Sequence, residues 1–334
     1  MSNRIVQFES TGGPEVLNII ESTAGEPQAG EVRIRLKAAG LNRAEYLFMQ
    51  GNYLCQPKFP SRLGIEGSGV IEAVGDSVTG LAVGDEVCIT PNLHPVDYGV
   101  LGDWAIVPEA AVFPKPSRFS FSEASAIWMP FATAYGGLIN AGEMRQGDSV
   151  LITAASSSVG LAAIQVAKLK GAKKVIATTR SSVKKNALFD AGADSVVTTD
   201  EEPLVEAIAR ETGASGVDVI FDPVAGTWIE QLAGAAALRA RLVIYGILSM
   251  DETPFPLFMA MSKGITVRAF HLVFNLLQQA DLWKLASEEL IAGFESGALK
   301  PRIDREFNLA EIRDAYRYLE SNQQVGKIVV TTEV

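Results

Sequence analysis

Apolar and polar positions along this chain recur with two different periods, and the change falls near Ser122. Before it the period is two. Glu31–Ala39 sets Val32, Ile34, Leu36 and Ala38 on one face and Arg33, Arg35 and Lys37 on the other, the pattern of a half-buried strand. Arg4–Phe8 and Val16–Glu21 predict a hairpin around Thr11–Pro14. Gly64–Val74, Glu86–Thr90, Trp104–Pro108 and Ala111–Lys115 read as further short strands set between turn residues such as Val83–Asp85. Short strands at this spacing predict a barrel-like antiparallel fold.

From Ser122 onward helical and strand patterns alternate. Ser122 with Ser125 predicts the cap of a helix through Gly137. Ser149–Thr153 is a short apolar run, the mark of a buried parallel strand. A small-residue turn, Ala154–Gly160, follows; then Val159, Ala163, Val166 and Ala167 recur at helical spacing up to Gly171, and Val175–Thr178 is a second strand. Helices over Lys184–Ala191, Pro203–Arg210, Gly226 to Leu238 and Pro256–Lys263 separate strands over Ser195–Thr198, Val217–Phe221, Arg241–Gly246 and Ile265–Phe270. This alternation predicts an α/β, doubly wound parallel sheet over residues 123–270. The tail reads as helices Leu282–Gly293 and Ala310–Glu320 and a closing strand Lys327–Thr332. Residues 271–334 are therefore assigned, with 1–122, to the β-rich domain.

The unit Ser149–Lys185 carries the first chemistry. Strand, tight turn, helix, strand presents free N–H groups at a helix start, suited to a pyrophosphate. Gly160 is the one glycine of the usual triplet, with Ala154 and Ser157 in the other two places. Ser157, Ser158, Val159 and Gly160 are the candidate phosphate contacts. After the second strand, where an NAD site sets Asp or Glu, this chain has Arg180, then Ser181, Ser182, Lys184 and Lys185. A carboxylate repels a 2′-phosphate and a guanidinium grips it, so NADPH is expected over NADH, with Arg180, Ser181 and Lys184 near that phosphate. The competing reading of Lys184 and Lys185 is a solvated helix face.

Composition narrows the partners. With 334 residues the chain is long enough for two domains, and 48% apolar with 20% charged residues is ordinary for a globular protein. A net charge of −10 argues against nucleic acid or an anionic membrane as partner. Cys55 and Cys88 cannot supply a disulfide framework or a four-thiolate zinc site. No basic-then-apolar leader and no apolar run of transmembrane length is seen, so a cytoplasmic protein is expected. The terminal strand Ile265–Phe270 offers an apolar edge, which predicts a homodimer.

In order, Ala39–Asn42 (AGLN), Gly51–Tyr53 (GNY), Gly64–Gly69 (GIEGSG), Val74-Gly75, Val83–Asp85 (VGD), Thr133–Tyr135 (TAY), Ser158–Leu161 (SVGL), Ala191–Asp194 (AGAD), Asp222, Tyr245-Gly246 and Val325–Lys327 (VGK) span essentially the whole chain. This series resembles the medium-chain dehydrogenase/reductase superfamily, specifically its zinc-free quinone-oxidoreductase-like branch. The resemblance implies a GroES-like antiparallel β-barrel catalytic domain and a Rossmann domain binding NADPH. It places Asn42, Ile65 and Met129 where zinc members carry metal ligands, and none of these is a plausible zinc ligand. Without zinc to polarise a carbonyl, the substrate should already be electrophilic, a quinone or a conjugated enone. The implied function is NADPH-dependent hydride transfer to quinones. Reduction of α,β-unsaturated carbonyls or enoyl thioesters, and non-catalytic NADPH binding, stay open beside it.

The same resemblance sets Asn42 near the nicotinamide ribose, Thr133 near the nicotinamide and Tyr53 facing the substrate, with Tyr53 and Asn42 as the catalytic pair. It brings Val224, Tyr245, Gly246, Leu248, Phe270 and His271 around the cofactor, and Lys327 close to it. A packing aromatic is the alternative for Tyr53, a structural acceptor for Glu66 and a surface lysine for Lys327. Trp128, Phe131 and Phe274 line an apolar pocket or belong to the core.

Overall fold

A computed structural model describes residues 3–332. The chain divides into two compact units: one runs through Met129 and resumes at Pro301, and the other is Pro130–Lys300. The expected boundaries at 122/123 and 270/271 therefore move. Residues 271–300 go with the second unit because the helix Ala280–Ser296 buries Ala286, Leu290 and Phe294 there, with the Phe294 ring 5.2 Å from that of Phe131.

The first unit is built on a seven-stranded sheet. Its order is Ile303–Asn308, Lys327–Thr331, Glu31–Gly40, Gly67–Val74, Glu86–Ile89 and Val112–Pro114, with Trp104–Pro108 also paired to Glu31–Gly40. Glu31–Gly40 alternates as its sequence requires, with Val32, Ile34, Leu36 and Ala38 all buried. Arg4–Phe8 pairs antiparallel with Asn18–Glu21 and with Ser61–Arg62 in a small second sheet. Pro14–Val16 forms a 3₁₀ turn, so the second arm of the predicted hairpin starts two residues late. The strand Ile303–Asn308 and the helix Arg43–Met49 were not legible in the apolar pattern. The first is too polar to register as period two, and the second is one short turn pair following a strand.

The second unit holds a six-stranded parallel sheet in the order Ser195–Thr198, Lys174–Thr179, Ser149–Ile152, Val217–Asp222, Ala236–Ile244, Thr266–Ala269. The central strands are buried along their length, which is why they read as continuous apolar runs. The helix expected to reach Leu238 ends at Ala235, and Ala236 starts the next strand. The helix expected from Ser122 to Gly137 is broken. Ser120, not Ser122, caps Phe121–Ala124, in a reciprocal box with Glu123. The chain then re-enters helix at Trp128–Tyr135 and widens to a π-helical turn over Gly136–Ala141.

Candidate functional site

In the second unit the predicted cofactor residues other than Thr133 fall at one end of the sheet. Ser157–Gly160 follow Ser149–Ile152, Arg180 and Ser181 follow Lys174–Thr179, and Val224 follows Val217–Asp222. Tyr245, Gly246 and Leu248 follow Ala236–Ile244, and Phe270 and His271 follow Thr266–Ala269. These are the carboxyl ends of parallel strands, where open α/β sheets bind ligands.

The turn itself can be followed atom by atom. Ala154 takes the left-handed conformation, φ 44°, in the place of the first glycine. Ser157 is extended, φ −70° and ψ 162°, so its place needs no glycine. Instead its hydroxyl caps the helix Ser158–Leu169, accepting from the Gly160 N–H at 3.0 Å. Gly160 is required by close approach: a Cβ there would lie 2.5 Å from Ala155 Cα and 2.6 Å from Ala155 O. The N–H groups of Ser158 and Val159 have no acceptor among the described residues. Two free helix-start donors above a turn too tight for a side chain fit a pyrophosphate.

Asp222 ties two of these loops together. Buried, it accepts from the Thr153 hydroxyl and from the N–H groups of Val224 (3.1 Å) and Ala225 (2.7 Å). Burial pushes its carboxyl up while these three bonds pull it down. Leu248 N–H and Ser249 N–H donate to Pro223 O (2.9 Å) and Val224 O (3.0 Å), and the Tyr245 ring stacks on Phe221 at 3.9 Å. Arg180 and Ser181 are exposed; Ser181 Oγ accepts from Val183 N–H, and Arg180 has no partner among the described residues. Lys184 is half-buried, and Lys185 lies 3.7 Å from Glu201. Phe270 is buried, and the His271 ring, tilted on Phe274 at 4.6 Å, is held below its usual pKa by burial. Thr133 is buried in the helix Trp128–Tyr135. Phe131 is core, whereas Phe274 is exposed.

The first unit brings Lys327 together with Asn42 and Glu66, 285 and 261 positions away in sequence. Lys327–Thr331 pairs antiparallel to the end of Glu31–Gly40, and Leu41 N–H donates to Ile328 O at 2.9 Å. That register sets Lys327 beside Asn42. Its ammonium donates to Asn42 Oδ1 (2.6 Å) and to Glu66 Oε1, and both charged side chains are 1% exposed. The surface-lysine alternative is thereby overturned. Gly40 makes the room, since a Cβ there would lie 2.6 Å from Lys327 Cε and on the Ser125 carbonyl oxygen. Glu66 Oε2 takes the Met129 N–H at 3.0 Å. Ile65 beside it brings no ligand atom, and Trp128 is core, its ring 4.7 Å from Phe113. Among the described residues no three of His, Cys, Asp and Glu gather as metal ligands. The donor set around Asn42, Ile65 and Met129 does not fit zinc.

Two members of this cluster were missed in the sequence. Glu45, in the first turn of Arg43–Met49, accepts from Asn42 Nδ2 at 2.8 Å and from the Tyr316 hydroxyl at 2.8 Å. The Asn42–Glu45 spacing is that of a capping box, the one local signal that could have found it. Asn42 Nδ2 also donates to Gly40 O at 3.0 Å. Both amide hydrogens are therefore committed, and Asn42 has no donor left for an oxyanion, contrary to its expected share in the chemistry. Tyr53 is half-buried against the first unit's core, and burial, with Cys55 and Glu45, raises its hydroxyl pKa.

Burial pushes the Glu45 carboxyl up to about 7, and Glu66 adds to the shift; the bonds from Asn42 and Tyr316 and the Lys327 charge oppose it. An unfolded glutamate titrates near about 4.3. Between about 4.3 and about 7 the folded chain holds a proton that the unfolded chain has released, so stability falls as pH rises through that window. Glu45→Gln, which cannot ionise, should remove this loss, about 4 kcal/mol over the whole window. Urea unfolding of both proteins across the window measures it, and parallel pH curves would refute the assignment.

The sequence matches the alcohol dehydrogenase GroES-like domain over residues 28–117 and the zinc-binding dehydrogenase domain over 158–288. It is 30% identical over 322 residues to the synaptic vesicle membrane protein VAT-1 homolog of Rattus norvegicus, covering 91% of this chain and 77% of that protein. To the quinone oxidoreductase of Homo sapiens it is 28% identical over 330 residues, 98% of this chain and 97% of that one. The structure of Escherichia coli quinone oxidoreductase complexed with NADPH superposes with a TM-score of 0.89 at 28% identity, over 98% of this chain and 100% of that one. With both domains matched in order and these relatives aligned over 77% or more of their length, the chain belongs to the medium-chain dehydrogenase/reductase superfamily, in its quinone oxidoreductase-like branch, and is an NAD(P)-dependent oxidoreductase.

Proposed function

We propose that this protein reduces quinones with NADPH and without zinc. The observation that carries the reading is the Lys327 ammonium seated between Asn42 and Glu66. The positive charge among the groups at these positions is a lysine's, and the glutamate nearest to them is already paired with it. The cofactor, when bound, supplies the hydride. Ser157, Ser158, Val159 and Gly160 would hold its pyrophosphate, and Arg180, Ser181 and Lys184 its 2′-phosphate. Val224, Tyr245, Gly246, Leu248, Phe270, His271, Thr133, Asn42 and Lys327 are assigned to the rest of it.

With no Lewis acid, the acceptor has to stabilise the arriving charge itself. A quinone does so, because its reduced phenolate has a pKa near about 10 by analogy with tyrosine and takes its proton from water. A saturated alkoxide is far more basic. Tyr53 is the hydroxyl assigned to the oxyanion, since Asn42 has no free N–H. NADPH oxidation with chelator present should proceed with quinones and not with saturated ketones. Tyr53→Phe should lower kcat/KM for conjugated enones by about 10- to 100-fold, and less for quinones. Saturated ketones reduced as fast as quinones, or activity lost to the chelator, would sink the reading. Faster enone than quinone turnover would favour the enone reductase, and bound NADPH without turnover the binding protein.

The second unit also supports a homodimer. Thr266–Ala269 ends the sheet, with Thr266, Arg268 and Ala269 exposed. The nearby helix Leu257–Lys263 leaves Phe258 87% and Met261 75% exposed. A second copy of the same edge is the proposed cover. Light scattering at micromolar concentration should give twice the chain mass, and Phe258→Glu should give a monomer; a monomeric wild type overturns it. The free Cys55 and Cys88 fit the reducing cytoplasm as its compartment, which fractionation would test.

A further inference from the structure

The buried network around Asn42 does more than fill space. A side-chain amide offers two hydrogens and two lone pairs. Here Nδ2 gives its hydrogens to Gly40 O and Glu45 Oε1, and Oδ1 receives the Lys327 ammonium. One lone pair of Oδ1 is left. Turning the amide over would set its NH₂ against an ammonium and its oxygen against a carboxylate and the Gly40 carbonyl, three mismatched pairs in a buried place. Tyr316 holds the other Glu45 oxygen. We propose that Glu45 is a positioning residue for Asn42: with Lys327 it locks the amide in one orientation, in which Asn42 meets a ligand only as an acceptor and so selects a hydroxyl. The inference rests on reading Asn42 as a cofactor contact.

The lock depends on the state of Glu45. Both of its oxygens accept, so a proton on Oε1 meets the Asn42 N–H and displaces that bond, whereas a proton on Oε2 turns the Tyr316 bond round, with the tyrosine oxygen accepting. The groups facing Glu45 are Tyr316 from the helix Ile312–Glu320, Lys327 from the closing strand, Glu66 from the turn before Gly67–Val74, and Tyr53 from the loop after Arg43–Met49. The ionised form is the one that fits Asn42 and Tyr316 as donors.

The test is NADPH affinity by fluorescence titration of the full chain at pH 8 and pH 6. Glu45→Ala should weaken binding about 10-fold at pH 8, the loss of one bond's worth of positioning. Glu45→Gln, which keeps an acceptor toward Asn42, should stay within about 3-fold of wild type. The double variant with Asn42→Ala should bind no more weakly than Asn42→Ala alone, because there is then nothing left to position. A purely structural glutamate would give additive losses, and those would overturn the proposal. Where Glu45→Ala does not fold, Glu45→Gln decides: affinity should fall less from pH 8 to pH 6 in this variant than in wild type, and equal falls overturn it. A wild type that binds no NADPH overturns the proposed function and this inference with it; binding with additive losses overturns this inference alone.

Discussion

Lys327→Met is expected to destabilise the first unit by about 3–5 kcal/mol, the loss found when one partner of a buried ion pair is removed. Lys327 and Glu66 are both 1% exposed, so water cannot take the place of the ammonium. The substitution strands the Glu66 carboxylate, which keeps only the Met129 N–H, and leaves Asn42 Oδ1 without its donor. Methionine matches the lysine stem in length, so the space beside Gly40 stays filled and the effect reports the charge. Adding Glu66→Gln should recover more than half of the loss. The glutamine neutralises the stranded charge and still accepts from Met129. Urea unfolding of wild type, single and double variants decides it. Equal destabilisation in single and double would mean that packing, not the ion pair, is what Lys327 supplies.

Arg180→Asp is the second large effect, and it should fall on binding alone. Arg180 is exposed and has no partner among the described residues, so its loss should leave unfolding unchanged within about 0.5 kcal/mol. On the reading that it grips a 2′-phosphate, one charge-assisted bond worth about 1.5–3 kcal/mol disappears, and like-charge repulsion is added. NADPH affinity should drop by roughly 10- to 100-fold from the bond alone. NADH, which lacks that phosphate, should bind as before. Titration of wild type and variant with both cofactors measures the ratio. Equal losses for the two would give Arg180 a structural job and remove the argument for NADPH over NADH.

What the sequence determined by itself was the period of each segment and the chemistry of local turns. Val32, Ile34, Leu36 and Ala38 alternate because the strand has one wet face, and the pattern says so without a partner in view. The turn at Ala154–Gly160 was legible for the same reason: its demands are short-range, and Gly160 meets Ala155 five residues away. Arg180 in place of an acid likewise needed only its distance from that turn. Where burial on all sides erased the period, as between Trp128 and Ala141, helix was legible and its interruptions were not. The contacts of the polar cluster around Asn42 were decided by tertiary structure: the resemblance pointed to Asn42 and Lys327, but not to what they touch. Glu45 lies in a helix the apolar pattern did not show, Tyr316 lies within the predicted helix Ala310–Glu320, and Lys327 opens the predicted closing strand. Only the register of Lys327–Thr331 on Glu31–Gly40, and the packing of the helix Ile312–Glu320, bring them onto one amide. A buried charge is defined by what surrounds it, and its partners here lie 261 to 285 residues away along the chain.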